Sequence, residues 1–292
     1  MKIDFINIGP GRTGTSWLYQ LLQSHPDISL PVVKETEFFN HNWHLGSDWY
    51  EGLFSAATGK GIIRGEISNM YYCDMQALDR IKLYNPNMKI VVNYRDPHDL
   101  LVSYLTFGLR RGLEIPRGNY IKTYPIGMLM GSGYTDRLFA GRPSEGDMVS
   151  TFDSVLLSRY ISKVYEVFDK RNVFIFNYDS LVRDADVVSR SLFDFLGVNH
   201  YSSDVLHKSS VNSAAEPRLK FLGKVASRLA FFLRKHGLFS ILTYLHNNAL
   251  VKKLVLRPAV KGTVFVEEAM REQLAAEAVR TKSIMDSYNR DQ

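Results

Sequence analysis

The stretch Ile8-Gly9-Pro10-Gly11-Arg12-Thr13-Gly14-Thr15-Ser16-Trp17-Leu18 carries a β-run, Phe5 to Ile8, through a glycine-rich loop into a helix. Such a corner is built for an anion. Glycines let the backbone approach a ligand, and the first free N–H groups of the helix point at negative charge with the helix dipole behind them. The spacing narrows the choice of anion site. A nucleotide triphosphatase loop reads G-x-x-x-x-G-K-S/T; here Gly9 and Gly14 keep the interval, Thr15 stands at the lysine position and Ser16 keeps the hydroxyl. The only cation lies inside the loop, at Arg12.

Outward from the loop, apolar runs at Phe5 to Ile8, Gly61 to Arg64, Ile90 to Tyr94 and Val173 to Tyr178 read as buried parallel strands. Helical patterns separate them: Ser16 to Ser24, Met75 to Tyr84 stopped by Asn85-Pro86, Leu100 to Leu109 behind Pro97, Leu156 to Asp169, and Val187 to Leu196 ended by Gly197. Strands joined by helical crossovers imply an α/β fold with a doubly wound, mostly parallel sheet, its ligands at the C-terminal strand ends.

Residues 110–150 break this regularity with ten glycines and prolines and no clear period. A loop of that length is either a functional lid or a mobile insertion. Residues 217–236 form a basic amphipathic pattern, with Leu222, Val225, Leu229, Phe232 and Leu233 opposite Lys220, Lys224 and Arg228; a second apolar stripe runs from Leu238 to Ala249. The stripes predict a helical pair packed on the core, with peripheral membrane contact through 217–256 as the alternative. A last helix is expected from Val266 to Tyr288, burying Met270, Leu274, Ala278, Thr281 and Met285.

Composition agrees with a globular enzyme: 292 residues, 45% hydrophobic and 23% charged, organised as one domain with an α/β core over 1–215 and a basic helical part over 216–292. Net charge is +6, yet residues 216–262 alone hold ten Lys or Arg against Glu216, leaving about −3 for the rest. No nucleic-acid-binding module is recognisable in that basic segment. Cys73 is the single cysteine, which excludes an internal disulfide and a thiolate zinc site. No secretory signal and no long apolar span is evident, so a cytoplasmic location and a metal-free mechanism are expected.

With these residues in view, the chain resembles the sulfotransferases that use 3′-phosphoadenosine 5′-phosphosulfate (PAPS), in their bacterial and heparan-type branch. In that family a basic residue, usually lysine, sits where Arg12 sits, followed by residues like Thr13-Gly14-Thr15-Ser16-Trp17-Leu18. Further similar segments follow in the family's order: His25-Pro26-Asp27-Ile28, Lys34-Glu35 with Phe38-Phe39, Gly65-Glu66-Ile67-Ser68, Lys89 to Pro97 with Ser103, and Val211 to Ser213 with Glu216 to Arg218.

The resemblance implies sulfuryl transfer from PAPS, leaving PAP, to an acceptor hydroxyl on a carbohydrate or lipid-linked alcohol. Arg12, with Thr13, Gly14, Thr15 and Ser16, would clamp the 5′-phosphosulfate. Arginine keeps its charge and binds as a planar fork, so Arg12 is a poor proton donor where a lysine would serve. Trp17 would stack on adenine, unless it is a core tryptophan of its helix. Arg95 and Ser103 match the residues that bind the 3′-phosphate, and Arg218 with the loop at Lys261-Gly262 is expected to add cations. Glu35 is the implied base, with Lys34 beside it to contact the sulfonate and Glu37 or Glu66 as neighbouring carboxylates; His41 and His44 are rival bases. Glu37 stands where relatives often carry a basic residue or histidine. Two alternatives stay open: a P-loop kinase, which needs a phosphate-reaching lysine and a Mg²⁺ carboxylate, and a non-catalytic nucleotide-binding scaffold.

Overall fold

A computed structural model describes residues 2–31, 34–54, 62–110, 113, 117–130, 141, 143–202, 215–217, 229, 232, 241, 248, 256–258 and 264–290. The chain starts with β1 (Phe5–Gly9), α1 (Thr15–Ser24), β2 (Ile28–Ser29), α2 (Gly46–Gly52), β3 (Ile63–Ile67) and α3 (Met75–Tyr84). It continues with β4 (Lys89–Tyr94), α4 (Pro97–Arg110), the short α5 (Ile126–Met130) and α6 (Glu145–Met148), then α7 (Leu157–Val167), β5 (Val173–Asn177), α8 (Tyr178–Arg183) and α9 (Ala185–Leu196). An antiparallel pair, β6 (Ala215–Pro217) and β7 (Leu256–Pro258), and α10 (Glu268–Arg290) follow.

The main sheet runs in the order β2-β3-β1-β4-β5 with every pair parallel. The α/β, parallel-sheet expectation therefore holds. After β1 the chain goes to the edge strand β2, returns to β3 beside β1, and then crosses to β4 and β5 on the other side, so the strand order reverses between β1 and β4. Ligands of open parallel sheets bind at that point, beyond the strand ends.

Side chains alternate across the sheet and divide the core. Ile6, Ile8, Ile90, Val92 and Tyr94 pack with α3, α4, α7 and α10, whereas Phe5 and Val91 pack with Trp17, Leu18, Leu21 and Leu22 of α1 and Leu192, Phe193 and Leu196 of α9. Local chemistry sets the helix ends. Asp74 accepts from Ala77 N at 3.0 Å to open α3, Asp184 accepts from Val187 N at 3.1 Å to open α9, and Gly197 closes α9 at φ 79.

Differences from the sequence reading have identifiable causes. The two-residue β2 is too short to leave a period, and β3 starts later and ends later than the run Gly61 to Arg64 because its polar end residues, Glu66 above all, are buried. Within 110–150, the described parts are helical turns that bury Ile121, Ile126 and Leu129 in the main core, so this insertion is anchored rather than wholly mobile. Between the β6–β7 pair, which includes Pro217 and Leu256, only Leu229, Phe232, Ile241 and Asn248 are described, and the helical-pair and membrane readings of 217–256 otherwise lie outside the described residues. In α10, Met270, Leu274 and Thr281 are buried as expected, and so is Glu277, whose Oε1 accepts from Ser158 N at 2.7 Å in the first turn of α7.

Candidate functional site

The loop after β1 needs its glycines for close packing. Gly9 has φ 98 and a Cβ there would lie 2.2 Å from the Asn69 carbonyl oxygen; Gly14 has φ 88 and a Cβ would lie 2.5 Å from Leu181 Cδ2. Beneath the loop, on the α1 side of the sheet, Asn7 Nδ2 donates to Asn93 Oδ1 at 2.5 Å and Asn93 Nδ2 donates to Thr13 O at 3.1 Å. Thr13 Oγ1 donates to Pro10 O at 2.6 Å, closing the loop on itself. Gly14 is the N-cap of α1 and supplies no side chain, so no capping group competes for the helix's first amides.

Cations converge on this corner from separate elements. Arg12, at φ 67, sends Nε to Ser103 Oγ at 3.3 Å and lies 5.0 Å from the Phe107 ring centroid, both on α4. Arg95, just past β4, donates through Nη1 to Arg12 O at 2.9 Å and stacks 4.6 Å from the Tyr178 ring. Asp96 does not neutralise it, since its carboxylate accepts from His98 N at 2.9 Å and Asp99 N at 3.2 Å at the start of α4. Burial lowers the Arg12 pKa, and Arg110 and then Arg95 lower it further by repulsion. The buried Nε atoms of Arg95 and Arg110 have no hydrogen-bond partner among the described residues. Buried like charges with orphaned donors cost free energy unless an anion joins them, so this corner fits a phosphorylated ligand.

On the other side of the loop lies the turn 34–37. Lys34 Nζ donates to Thr15 Oγ1 at 3.1 Å and is 3.8 Å from Glu35 Oε1. Burial lowers the Lys34 pKa, Glu35 opposes that effect, and Arg12 reinforces it. Glu35, at φ 63, receives a hydrogen bond from Asn69 Nδ2 and keeps 35% of its side chain exposed. A carboxylate held beside an ammonium and open to solvent can accept a proton from an incoming hydroxyl.

Several expectations need correction. Glu66, expected as a carboxylate neighbour of the base, is completely buried: it accepts from Thr36 Oγ1 and faces Tyr71, Tyr50 and Ser68, so it supports the turn from below. Burial raises its pKa to about 7, against the hydrogen bonds that favour its charge. His41 is not a free base. Burial disfavours its charge, but Glu37 and a hydrogen bond to Asp147 outweigh that and raise its pKa to about 9, which keeps it protonated at neutral pH. His44 is exposed on a short turn. Trp17 is 7% exposed in the core beside α9, which leaves little of its ring for a base. Arg218, Lys261 and Gly262 lie outside the described residues.

Arg110, Asn69 and Tyr178 were not singled out in the sequence. Ser103, Phe107 and Arg110 are spaced four and three apart, a helix-face signal hidden by ending that helix one residue early.

Comparison with known proteins adds the following. Residues 2–217 match the family model described as "Sulfotransferase domain". Heparan sulfate glucosamine 3-O-sulfotransferase 3B1 from Mus musculus is 34% identical over 111 residues, covering 38% of this chain and 28% of that protein. Human bifunctional heparan sulfate N-deacetylase/N-sulfotransferase 3 is 35% identical over 107 residues, covering 34% of this chain and 12% of that protein. The matches thus span under a third of these relatives' lengths. The solved sulfotransferase from Alicyclobacillus acidocaldarius shares the fold, with a TM-score of 0.55 at 21% identity over 86% of this chain and 96% of that one. Among the described residues, no helix is long and apolar enough to cross a membrane.

Proposed function

The chain belongs to the sulfotransferase domain family, and from that premise we propose that it transfers a sulfuryl group from PAPS to an acceptor hydroxyl. The observation that carries the reading is the cluster of cations about Arg12, on the loop that leads into the uncapped α1: Arg12 is repelled by Arg110 and Arg95 and acts on Lys34, whose ammonium bonds Thr15 and lies beside Glu35. PAPS supplies the electrophilic sulfuryl group and a leaving bisphosphate. The N–H groups opening α1 and the cation cluster hold its two phosphorylated ends and offset the charge that builds on the leaving oxygen. Glu35 takes the acceptor's proton, while Asn69 and Lys34 fix its orientation. The buried Asn7–Asn93 pair keeps the loop in place.

The acceptor is proposed to be a carbohydrate or lipid-linked alcohol, by analogy with the relatives named for heparan sulfate. A kinase reading lacks support, because Thr15 occupies the position of the phosphate-reaching lysine. The test is a metal-free calorimetric titration with PAP, beside ATP and the Arg95→Ala variant. Micromolar PAP binding that Arg95→Ala abolishes, with ATP much weaker, supports the donor site. Absent PAP binding, or tighter Mg²⁺-dependent ATP binding, overturns it.

A further inference from the structure

Two aromatic side chains stand mostly in solvent on neighbouring segments. Tyr120 is 76% exposed and Phe265 77%, while the residue after each, Ile121 and Val266, is buried in the main core. The two segments lie against each other, since a Cβ on Gly118 would come 2.7 Å from Glu267 Oε1. Each inward residue thus fixes its aromatic neighbour at the surface. Exposed cations border the pair: Arg117 and Lys122 stand on either side of Tyr120 in the chain, and Arg271 reaches the Phe265 ring at 5.7 Å. Phe265 also follows the most basic stretch of the chain, residues 216–262, with ten Lys or Arg against Glu216. Within that stretch Leu229 and Phe232 are helical and three residues apart, so they share a face, and both are half-exposed, as is Ile241. A stripe expected to pack on the core leaves these apolar side chains at the surface.

We propose that Tyr120 and Phe265, with the basic stretch that precedes Phe265, dock the protein peripherally on an anionic phospholipid membrane. The two halves of the surface suit the two layers of a lipid interface. Aromatic rings and half-exposed aliphatic side chains enter the boundary between headgroups and acyl chains, and the cations are drawn to anionic headgroups. A soluble polyanion would satisfy the cations but leave the rings in water, so lipid is the occupant that uses the whole surface. Tyr120 belongs to the 110–150 insertion, which also sends Asp147 to His41 near the turn of Glu35. Granted the transfer proposed above, membrane docking and the acceptor turn then share one element, and a lipid-linked alcohol is the acceptor this surface favours.

Co-sedimentation of the full chain with vesicles tests this, using phosphatidylcholine alone or with about 30% phosphatidylserine. Wild type is expected to bind the anionic vesicles about tenfold or more tightly than the neutral ones and to leave them at about 0.5 M salt. The double variant Tyr120→Ser, Phe265→Ser should weaken anionic-vesicle binding by about tenfold. Its melting temperature and PAP affinity should stay those of wild type, because both side chains lie in solvent away from the loop after β1. No binding to either vesicle, equal binding to both, or a double variant that binds as wild type does overturns the proposal. So does retention on heparin, or dimer formation, without vesicle binding, which would give the surface to a soluble polyanion or to a second copy of this chain. A PAP titration of the same samples reads the donor site separately: vesicle binding without PAP binding removes that site and leaves the docking surface standing.

Discussion

Arg12 Nε and Ser103 Oγ, 91 residues apart in sequence, lie 3.3 Å from each other and join the loop after β1 to the middle of α4. That link draws Arg12 into a set of like charges that no described carboxylate neutralises. Removing one cation should therefore have opposite effects on the free and the bound protein. Arg110→Gln is expected to leave the melting temperature of the free protein unchanged or slightly raised, while PAP affinity falls by about tenfold. Thermal melts with and without PAP check both halves, and a free protein that is clearly destabilised would remove Arg110 from the repulsive cluster.

Glu35 is open at its edge and held by Asn69 and Lys34. Glu35→Gln should reduce turnover by about two to four orders of magnitude with PAP affinity nearly unchanged. Weakened PAP binding at normal turnover would deny it the role of base.

Glu66 and His41 predict a stability that declines with rising pH in two successive windows that meet near neutral pH. Glu66 has a folded pKa of about 7, above its ordinary 4.5, so the folded state holds the extra proton and stability is lost as pH rises from about 4.5 to 7. Glu66→Gln carries no such proton and should flatten that window. His41 has a folded pKa of about 9 against 6.5; its contribution is complete below 6.5 and is lost as pH rises to about 9. His41→Gln should flatten only this second window. Denaturant midpoints from pH 4.5 to 9.5 decide the matter, and slopes unchanged in the variants would refute the assignments.

Glu277 spans the last helix and the first turn of α7, bonding Ser158 N at 2.7 Å. Glu277→Ala leaves that buried amide unpaired and should destabilise the protein by about 1 to 3 kcal/mol without altering PAP affinity. Chemical denaturation beside a PAP titration measures both.

The core strands, the loop and the residues flanking it were legible because each leaves a local mark: β1 and β4 are apolar runs ended by Gly9 and Arg95, and α9 ends on a glycine. What escaped was set by long-range contacts. Glu66 is indistinguishable in sequence from a solvent-facing acid until β3 is seen to bury it against Thr36 and Tyr71. His41 looks like a candidate base until Asp147, 106 residues away, meets its ring. Trp17 has the spacing of a ligand-stacking residue and of a core residue alike, and only the packing of α9 across it separates them.

The turn at Thr36 is flanked by two glutamates, both left-handed, at φ 63 and φ 52. Their carboxylates part company: Glu35 meets Lys34 and Asn69, whereas Glu37 meets His41, which reaches α6 at the end of the 110–150 insertion. One hydroxyl bonded to one buried acid thus stands between the Lys34–Glu35 pair and the insertion. Changes within the insertion that spare Thr36 and Glu66 should therefore leave the contacts of Glu35 with Lys34 and Asn69 on the far side of the turn as they are.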